Sequence, residues 1–318
     1  MTERFVLGVD LGGQTTKLGI VDRQGNVLAH KVIRTDTYGA DASAFVEALA
    51  AAVKEIIADS DKSGLVTGIG IGAPNGNYYT NSIKFAPNIE WAAKEIVPLG
   101  DMLSSATGLP VGLTNDANAA AVGEMTYGVA RGMKNFIIIT LGTGVGSGIV
   151  VNGKVVYGHD GFAGELGHTI AERDGRLCGC GRKGCLETYC SATGVARTAT
   201  EWLEKTDEPS VLRNLEKIDS KAVGVAAAEG DAFSRKVLAY TGEILGRSFA
   251  DFVAFSAPEA IVLFGGLTKA RGFFHDSLVK SMEDNLLAIW KGKVKILYSQ
   301  LNESDAAILG ASALAWDL

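Results

Sequence analysis

The chain has 318 residues, 47% hydrophobic and 21% charged, with a net charge of −6 at neutral pH. That length and balance suit a globular protein of two domains. The acidic charge argues against nucleic acid or an anionic membrane as partner, and no run of about 20 apolar residues offers a membrane span. The start, Met1-Thr2-Glu3-Arg4-Phe5, leads straight into a strand pattern and lacks the basic, then apolar, character of a signal peptide. A cytoplasmic protein is therefore expected.

In chain order, residues 5–22 read as strand, glycine turn and strand, followed by a turn at Gly25-Asn26 and a strand to Ile33. A helix is expected over 42–58 and a strand over 66–72. The Gly-, Asn- and Pro-rich stretch 72–88 reads as a long loop, and long loops in compact domains tend to be functional. A strand at 110–114 leads into a helix that opens at Asn115-Asp116-Ala117-Asn118 and runs to about Tyr127. Residues 136–151 then repeat the opening pattern, with a turn at Asn152-Gly153 and a strand to Tyr157. Further helices are expected at 190–204, 231–256, 270–290 and 304–316, and strands at 260–264 and 294–299. Strands alternating with helices indicate an α/β fold, and the duplicated unit implies two similar domains with a cleft between them. The division expected is 1–130 and 131–303, with the helix at about 304–318 packing back onto the first domain.

Three glycine turns are candidates for holding phosphate or nucleotide. Asp10-Leu11-Gly12-Gly13-Gln14-Thr15 lies between two strands, where bare backbone N–H groups can face a phosphate and an acid at the strand end can hold Mg²⁺. Leu141-Gly142-Thr143-Gly144-Val145-Gly146 is its counterpart in the second half. Phe264-Gly265-Gly266-Leu267 follows a strand and could lay bare backbone against a flat base. Gly148-Ile149-Val150-Val151-Asn152-Gly153-Lys154 has the spacing of a phosphate-binding loop. However, its middle reads as a strand and Val155 stands where a Ser or Thr is needed. Asn115 and Asp116 are strong helix caps; equally, a carboxylate at a strand end can take the proton of an attacking hydroxyl.

All four cysteines, Cys178, Cys180, Cys185 and Cys190, fall in one short stretch, with His168 just upstream. Three thiolates and one imidazole complete a tetrahedral Zn²⁺ shell, and closed shells of this kind are structural. A redox-active thiol cluster is the other reading of the spacing. Cys190 reads as a small buried residue, yet it also competes with His168 as fourth ligand. Glu165 and Glu187 are tied to the two ends of this segment.

Glu165-Leu166-Gly167-His168 with Cys178-x-Cys180-Gly181-x-x-Gly184-Cys185-Leu186-Glu187 resembles the ROK family of sugar kinases, and within it the bacterial glucokinases. The Asp10–Lys17 segment, Ala86-Pro87-Asn88, Asn115-Asp116-Ala117-Asn118 and Leu141–Gly146 carry the resemblance along the whole chain. It implies an actin/hexokinase-like (ribonuclease H-like) fold and transfer of the γ-phosphoryl of ATP to a hexose, glucose to glucose 6-phosphate. By the same resemblance, Asp116 is the catalytic base, and Asn88, Asn115, Asp116, Glu165, His168 and Glu187 are sugar-binding. His168, Cys178, Cys180 and Cys185 are zinc ligands. Asp10, Gly12, Gly13, Gln14, Thr15, Thr143, Gly144, Gly265 and Gly266 bind nucleotide with Mg²⁺. A homodimer is the family expectation. The first segment departs from the pattern Asp-x-Gly-Gly-Thr, with Gln14 in the threonine position. The alternatives are a ROK kinase for N-acetylglucosamine, N-acetylmannosamine, fructose or mannose, and a non-catalytic sugar-sensing regulator. Such regulators carry an N-terminal helix-turn-helix, for which a first strand at Phe5 leaves no room.

Overall fold

The computed structural model describes residues 3–302 and 304–318. Met1 and Thr2, with which the expected start and first domain begin, and Glu303, the expected end of the second, lie outside the described residues. The chain forms two compact units. One comprises Met1–Met133, Val155–Ala163 and Gln300–Leu318; the other comprises Lys134–Lys154 and Gly164–Ser299.

In the first unit β1 (Phe5–Leu11), β2 (Thr15–Val21) and β3 (Val27–Arg34) form an antiparallel meander, and α1 (Ala42–Asp59) follows. β4 (Val66–Gly72) lies parallel to β1. The expected loop after it contains a small sheet of β5 (Gly76–Asn77), β6 (Ser82–Lys84) and β7 (Ile96–Val97). Then come α2 (Leu99–Thr107), β8 (Val111–Thr114) and α3 (Asp116–Thr126). The main sheet has the order β3-β2-β1-β4-β8. On one face α1 buries Phe45, Leu49, Val53 and Ile56 against Leu7, Val9, Leu18 and Ile20. The Ser/Gly-containing segment of α2 has no strong apolar stripe, so the helix was not legible in the sequence.

In the second unit β9 (Phe136–Leu141) pairs antiparallel with β10 (Val145–Val151), and β11 (Lys154–Val155) extends the edge. α4 (Glu187–Cys190), α5 (Ala192–Leu203), α6 (Ser220–Ala228) and α7 (Ala232–Ser256) follow. β12 (Ala260–Phe264), α8 (His275–Asn285) and β13 (Lys295–Tyr298) complete the unit. The order β11-β10-β9-β12-β13 repeats that of the first sheet, with β9, β12 and β13 parallel. The repeat read in the sequence is therefore a repeat of topology. Its third strand stops at Val155, short of the expected Tyr157. The ring of Tyr157 stacks on Tyr78 of the first unit at 4.0 Å and 3°, which draws the chain out of the sheet. The helix expected at 270–290 is α8, preceded by a 3₁₀ helix at Gly266–Phe273. α6 is alanine-rich and was not foreseen.

The chain returns to the first unit as α9 (Ala306–Ala313), which packs on α3 and on the second face of the sheet. The approach is close because the strands are bare there: a Cβ on Gly70 would lie 1.9 Å from the Ala311 carbonyl oxygen. Among the described residues no helix is long and apolar enough to cross a membrane.

Candidate active site

In the first unit the parallel strands β1, β4 and β8 end together, with Asp10 beside Gly72 and Gly72 beside Thr114 in register. The carboxyl ends of parallel strands are where α/β folds place ligands, because the loops that leave them expose backbone groups. Asp10 sits at this edge, and Asn115 and Asp116 follow β8 directly. The turn after β1 is closed by a hydrogen bond from the Gly12 N–H to the Thr15 carbonyl at 3.0 Å. A Cβ on Gly13 would lie 2.5 Å from the Asn88 carbonyl oxygen, so only glycine lets this turn rest on the Asn88 backbone. The structure thus brings together a phosphate-turn candidate and a sugar-binding candidate. Gln14 is exposed, and its carbonyl accepts from the Thr35 N–H at 2.9 Å. The buried Thr16 hydroxyl is committed to Thr35 at 2.8 Å. Asn88 itself is exposed.

Both readings of the Asn-Asp pair hold, one for each residue. Asn115 caps α3 and its side-chain oxygen accepts the Asn118 N–H at 2.7 Å. Asp116, the first residue of the helix, accepts only its neighbour's N–H, from Ala117 at 2.8 Å. Asp116 keeps exposed surface, yet the protein packed around its carboxyl displaces enough water to push its pKa up from 3.8, against the pull of the Ala117 N–H. The exposed surface lets a ligand reach the carboxyl, whereas the shift depends on the whole shell of surrounding protein, so the upward direction stands. The Asp10 pKa is also raised, chiefly by burial; Lys17 opposes the rise and the negative charge of Asp116 adds to it. Two mutually repelling carboxylates at one strand edge form a donor set that suits a hard divalent cation such as Mg²⁺.

In the second unit the other two glycine turns meet. The Gly142 carbonyl accepts from the Ala192 N–H at 2.8 Å, and the Thr143 carbonyl from the Thr193 hydroxyl at 2.9 Å, which ties this turn to the start of α5. Gly265 has φ 107°, and a Cβ there would lie 2.6 Å from the Leu141 carbonyl oxygen. Thr143 and Gly266 line one cavity of about 600 Å³, whose walls are α6 and the 3₁₀ helix that ends at Phe273. Gly144 and Gly265 adjoin these residues in the chain without lining the cavity. The sequence reading had no signal for the α6 wall.

The side chains of His168, Cys178, Cys180 and Cys185 converge, with their ligand atoms all within 4.8 Å of one another. Cys180 Sγ and Cys185 Sγ are 3.6 Å apart, and Cys178 Sγ lies 3.7 Å from His168 Nδ1. Two thiolates at ~2.3 Å from a tetrahedral Zn²⁺ are ~3.8 Å apart, so the residues fit the ion. Cys190 is outside the cluster: it is fully buried, its Sγ faces the Thr241 carbonyl at 3.6 Å, and burial pushes its thiol pKa up. The loop is braced by Arg176, whose guanidinium pairs with Glu201 at 2.8 Å and donates to the Thr188 carbonyl at 2.7 Å.

Glu187, the first residue of α4, joins this knuckle to the glycine turn. Its Oε1 is 3.0 Å from Cys178 Sγ, and its Oε2 would lie 2.9 Å from a Cβ on Gly144. The Glu165 carbonyl accepts the His168 N–H at 3.0 Å at the head of a short 3₁₀ helix, Leu166–His168. Since His168 turns Nδ1 toward the thiols, Nε2 is the nitrogen left for a second partner.

This fold, with these glycine turns and this cysteine knuckle, is matched by the ROK family model over residues 6–317. The chain belongs to the ROK family. It is 38% identical to a glucokinase of Halalkalibacterium halodurans, over 91% of this chain and 87% of that protein. It is 34% identical to a glucokinase of Thermotoga maritima, over 99% and 98%. A ROK family glucokinase from Streptomyces griseus, solved in complex with glucose and AMPPNP, superposes with a TM-score of 0.79 at 32% identity, covering 99% of this chain and all of that one.

Proposed function

We propose that this protein transfers the γ-phosphoryl group of ATP to glucose, yielding glucose 6-phosphate and ADP. The observation that carries the reading is the full-length likeness to the Streptomyces griseus glucokinase, which binds glucose and an ATP analogue. Asp116 is the group suited to act as base. It stands at a helix start with its carboxyl uncommitted to capping, and its raised pKa makes it a better proton acceptor than an ordinary carboxylate. As the O6–phosphorus bond forms, the O6 proton passes to Asp116; the bond between the γ-phosphorus and its bridging oxygen breaks, and ADP leaves with that electron pair. Asn88 and Asn115 offer amides to sugar hydroxyls, and Glu165, His168 Nε2 and Glu187 offer acceptors. Thr143, Gly144, Gly265 and Gly266 lie at or beside the cavity suited to the nucleotide, and the turn from Gly12 to Thr15 presents backbone N–H groups to phosphate. Asp10 would hold Mg²⁺, which when bound offsets charge on the transferring group. His168, Cys178, Cys180 and Cys185 would hold Zn²⁺, which when bound closes the loop that carries Glu187. Homodimer formation rests on the family resemblance alone; a cytoplasmic location is supported by thiols that need reducing surroundings.

The test is an ADP-coupled assay with ATP against glucose, mannose, fructose, N-acetylglucosamine and N-acetylmannosamine. Glucose is expected to give the highest kcat/KM. A higher value for an N-acetylhexosamine would move the assignment to that sugar, and no turnover with any of them would overturn it.

A further inference from the structure

α6 carries a glycine in its middle for which its packing gives no reason. Glycine is the poorest helix former after proline, and a buried mid-helix glycine is ordinarily kept where a neighbour leaves no room for a Cβ. Gly224 is not such a case. The nearest atom to a Cβ built there is the Ala270 Cβ at 3.5 Å, an ordinary contact, and nothing else lies within 4 Å. The missing side chain points across open space at the 3₁₀ helix that forms the opposite wall of the 600 Å³ cavity. Ser220 and Ala228, one turn to either side of Gly224, line the same cavity, so this face of α6 is made of small residues. Across from it stand Leu267, Ala270 and Phe273, apolar side chains suited to a flat ring. The other end of the cavity is the glycine turn at Thr143 and the bare backbone of Gly266.

We propose that Gly224 is a specificity-determining residue for the phosphoryl donor: its missing side chain keeps open the slot between α6 and the 3₁₀ helix in which the adenine ring lies. The inference rests on the kinase reading above, since that reading supplies ATP as the ligand. The helix gives up intrinsic stability at this position, and the space gained is that of a planar ring against apolar walls.

The experiment compares the wild type with Gly224→Ala and Gly224→Val. It varies ATP and glucose in turn and measures ADP binding by titration calorimetry. Gly224→Val should raise KM for ATP and Kd for ADP about tenfold or more, and Gly224→Ala about threefold. KM for glucose should stay within twofold, and the Tm of Gly224→Ala should be no lower than that of the wild type. Tripolyphosphate, which has the phosphates without the base, should inhibit all three proteins equally. An ADP affinity in Gly224→Ala within 1.5-fold of the wild type would overturn the proposal, as would equal weakening of tripolyphosphate and ADP. A wild type that binds ADP but phosphorylates no hexose would overturn the kinase reading, while the ADP titrations would still decide the role of Gly224.

Discussion

At Asp116 one substitution should move activity and stability in opposite directions. Asp116→Asn removes the proton acceptor and should lower kcat by ~10²–10⁴-fold, with glucose binding retained. For stability the sign follows from the raised pKa. A carboxyl whose native pKa lies above its ordinary 3.8 favours the folded state at low pH, where both states are protonated, and that contribution is lost as pH rises through the native value. At neutral pH the ionised Asp116 therefore costs stability, and Asp116→Asn should raise Tm at pH 7.5, the gap shrinking as pH falls toward 4. Calorimetry across that range checks it, and a variant less stable than the wild type at pH 7.5 would contradict the burial argument. The same shift predicts that wild-type kcat/KM falls on the acid side at a pH above the ordinary carboxylate range. Gln14 offers a second residue-level test. Its exposed side chain sits on the turn assigned to phosphate, so Gln14→Thr should change KM for ATP by more than KM for glucose. A selective change for glucose would place this turn at the sugar.

The knuckle shows how an element takes its shape from side chains far apart in size and chemistry. Gly181 and Gly184, at φ 86° and 80°, turn the backbone where a side chain would be strained, and a hydrogen bond from the Cys178 N–H to the Arg182 carbonyl at 2.9 Å closes the loop. Arg176 then pins the loop to α4 and α5 from behind, through Glu201 and the Thr188 carbonyl. Cys178→Ser should abolish the one zinc expected per chain and raise KM for glucose at least tenfold, because Glu187 Oε1 lies against Cys178 Sγ. Cys190→Ser should keep the metal, since its sulfur faces the Thr241 carbonyl in the core. Elemental analysis of the two variants distinguishes these outcomes. Metal lost from Cys190→Ser and kept in His168→Ala would exchange the fourth ligand.

For the molecule as a whole, the described C-terminal segment belongs to the unit in which the chain begins. α9 lies on β1 and β4 at distances only glycine permits, and it brings Ile308 and Leu309 against Val6 and Val21. Gly70→Ala would push a methyl group into the Ala311 carbonyl, and such overpacking costs typically ~1–3 kcal/mol. Hydrogen exchange followed by mass spectrometry should then show faster exchange in β1, β4 and α9, with β9 and β12 unchanged. Equal acceleration in both sheets would mean that the two units unfold as one.

Much of this was legible in the chain itself, for a physical reason. Strand alternation, glycine turns and metal-ligand spacing are local patterns, and local patterns survive in sequence. The repeat of strand, turn and strand marked both sheets, and the ROK signature around Glu165 to Glu187 named the site residues. Three things required the tertiary structure. Cys190 and His168 could be told apart only by which of them the fold turns toward the other thiols. Tyr157 leaves its strand because a ring from residue 78 stacks on it, a partner no local pattern announces. The α6 wall of the cavity, with Gly224 at its centre, consists of small residues whose meaning lies in the space they leave, and empty space is a property of the folded arrangement alone.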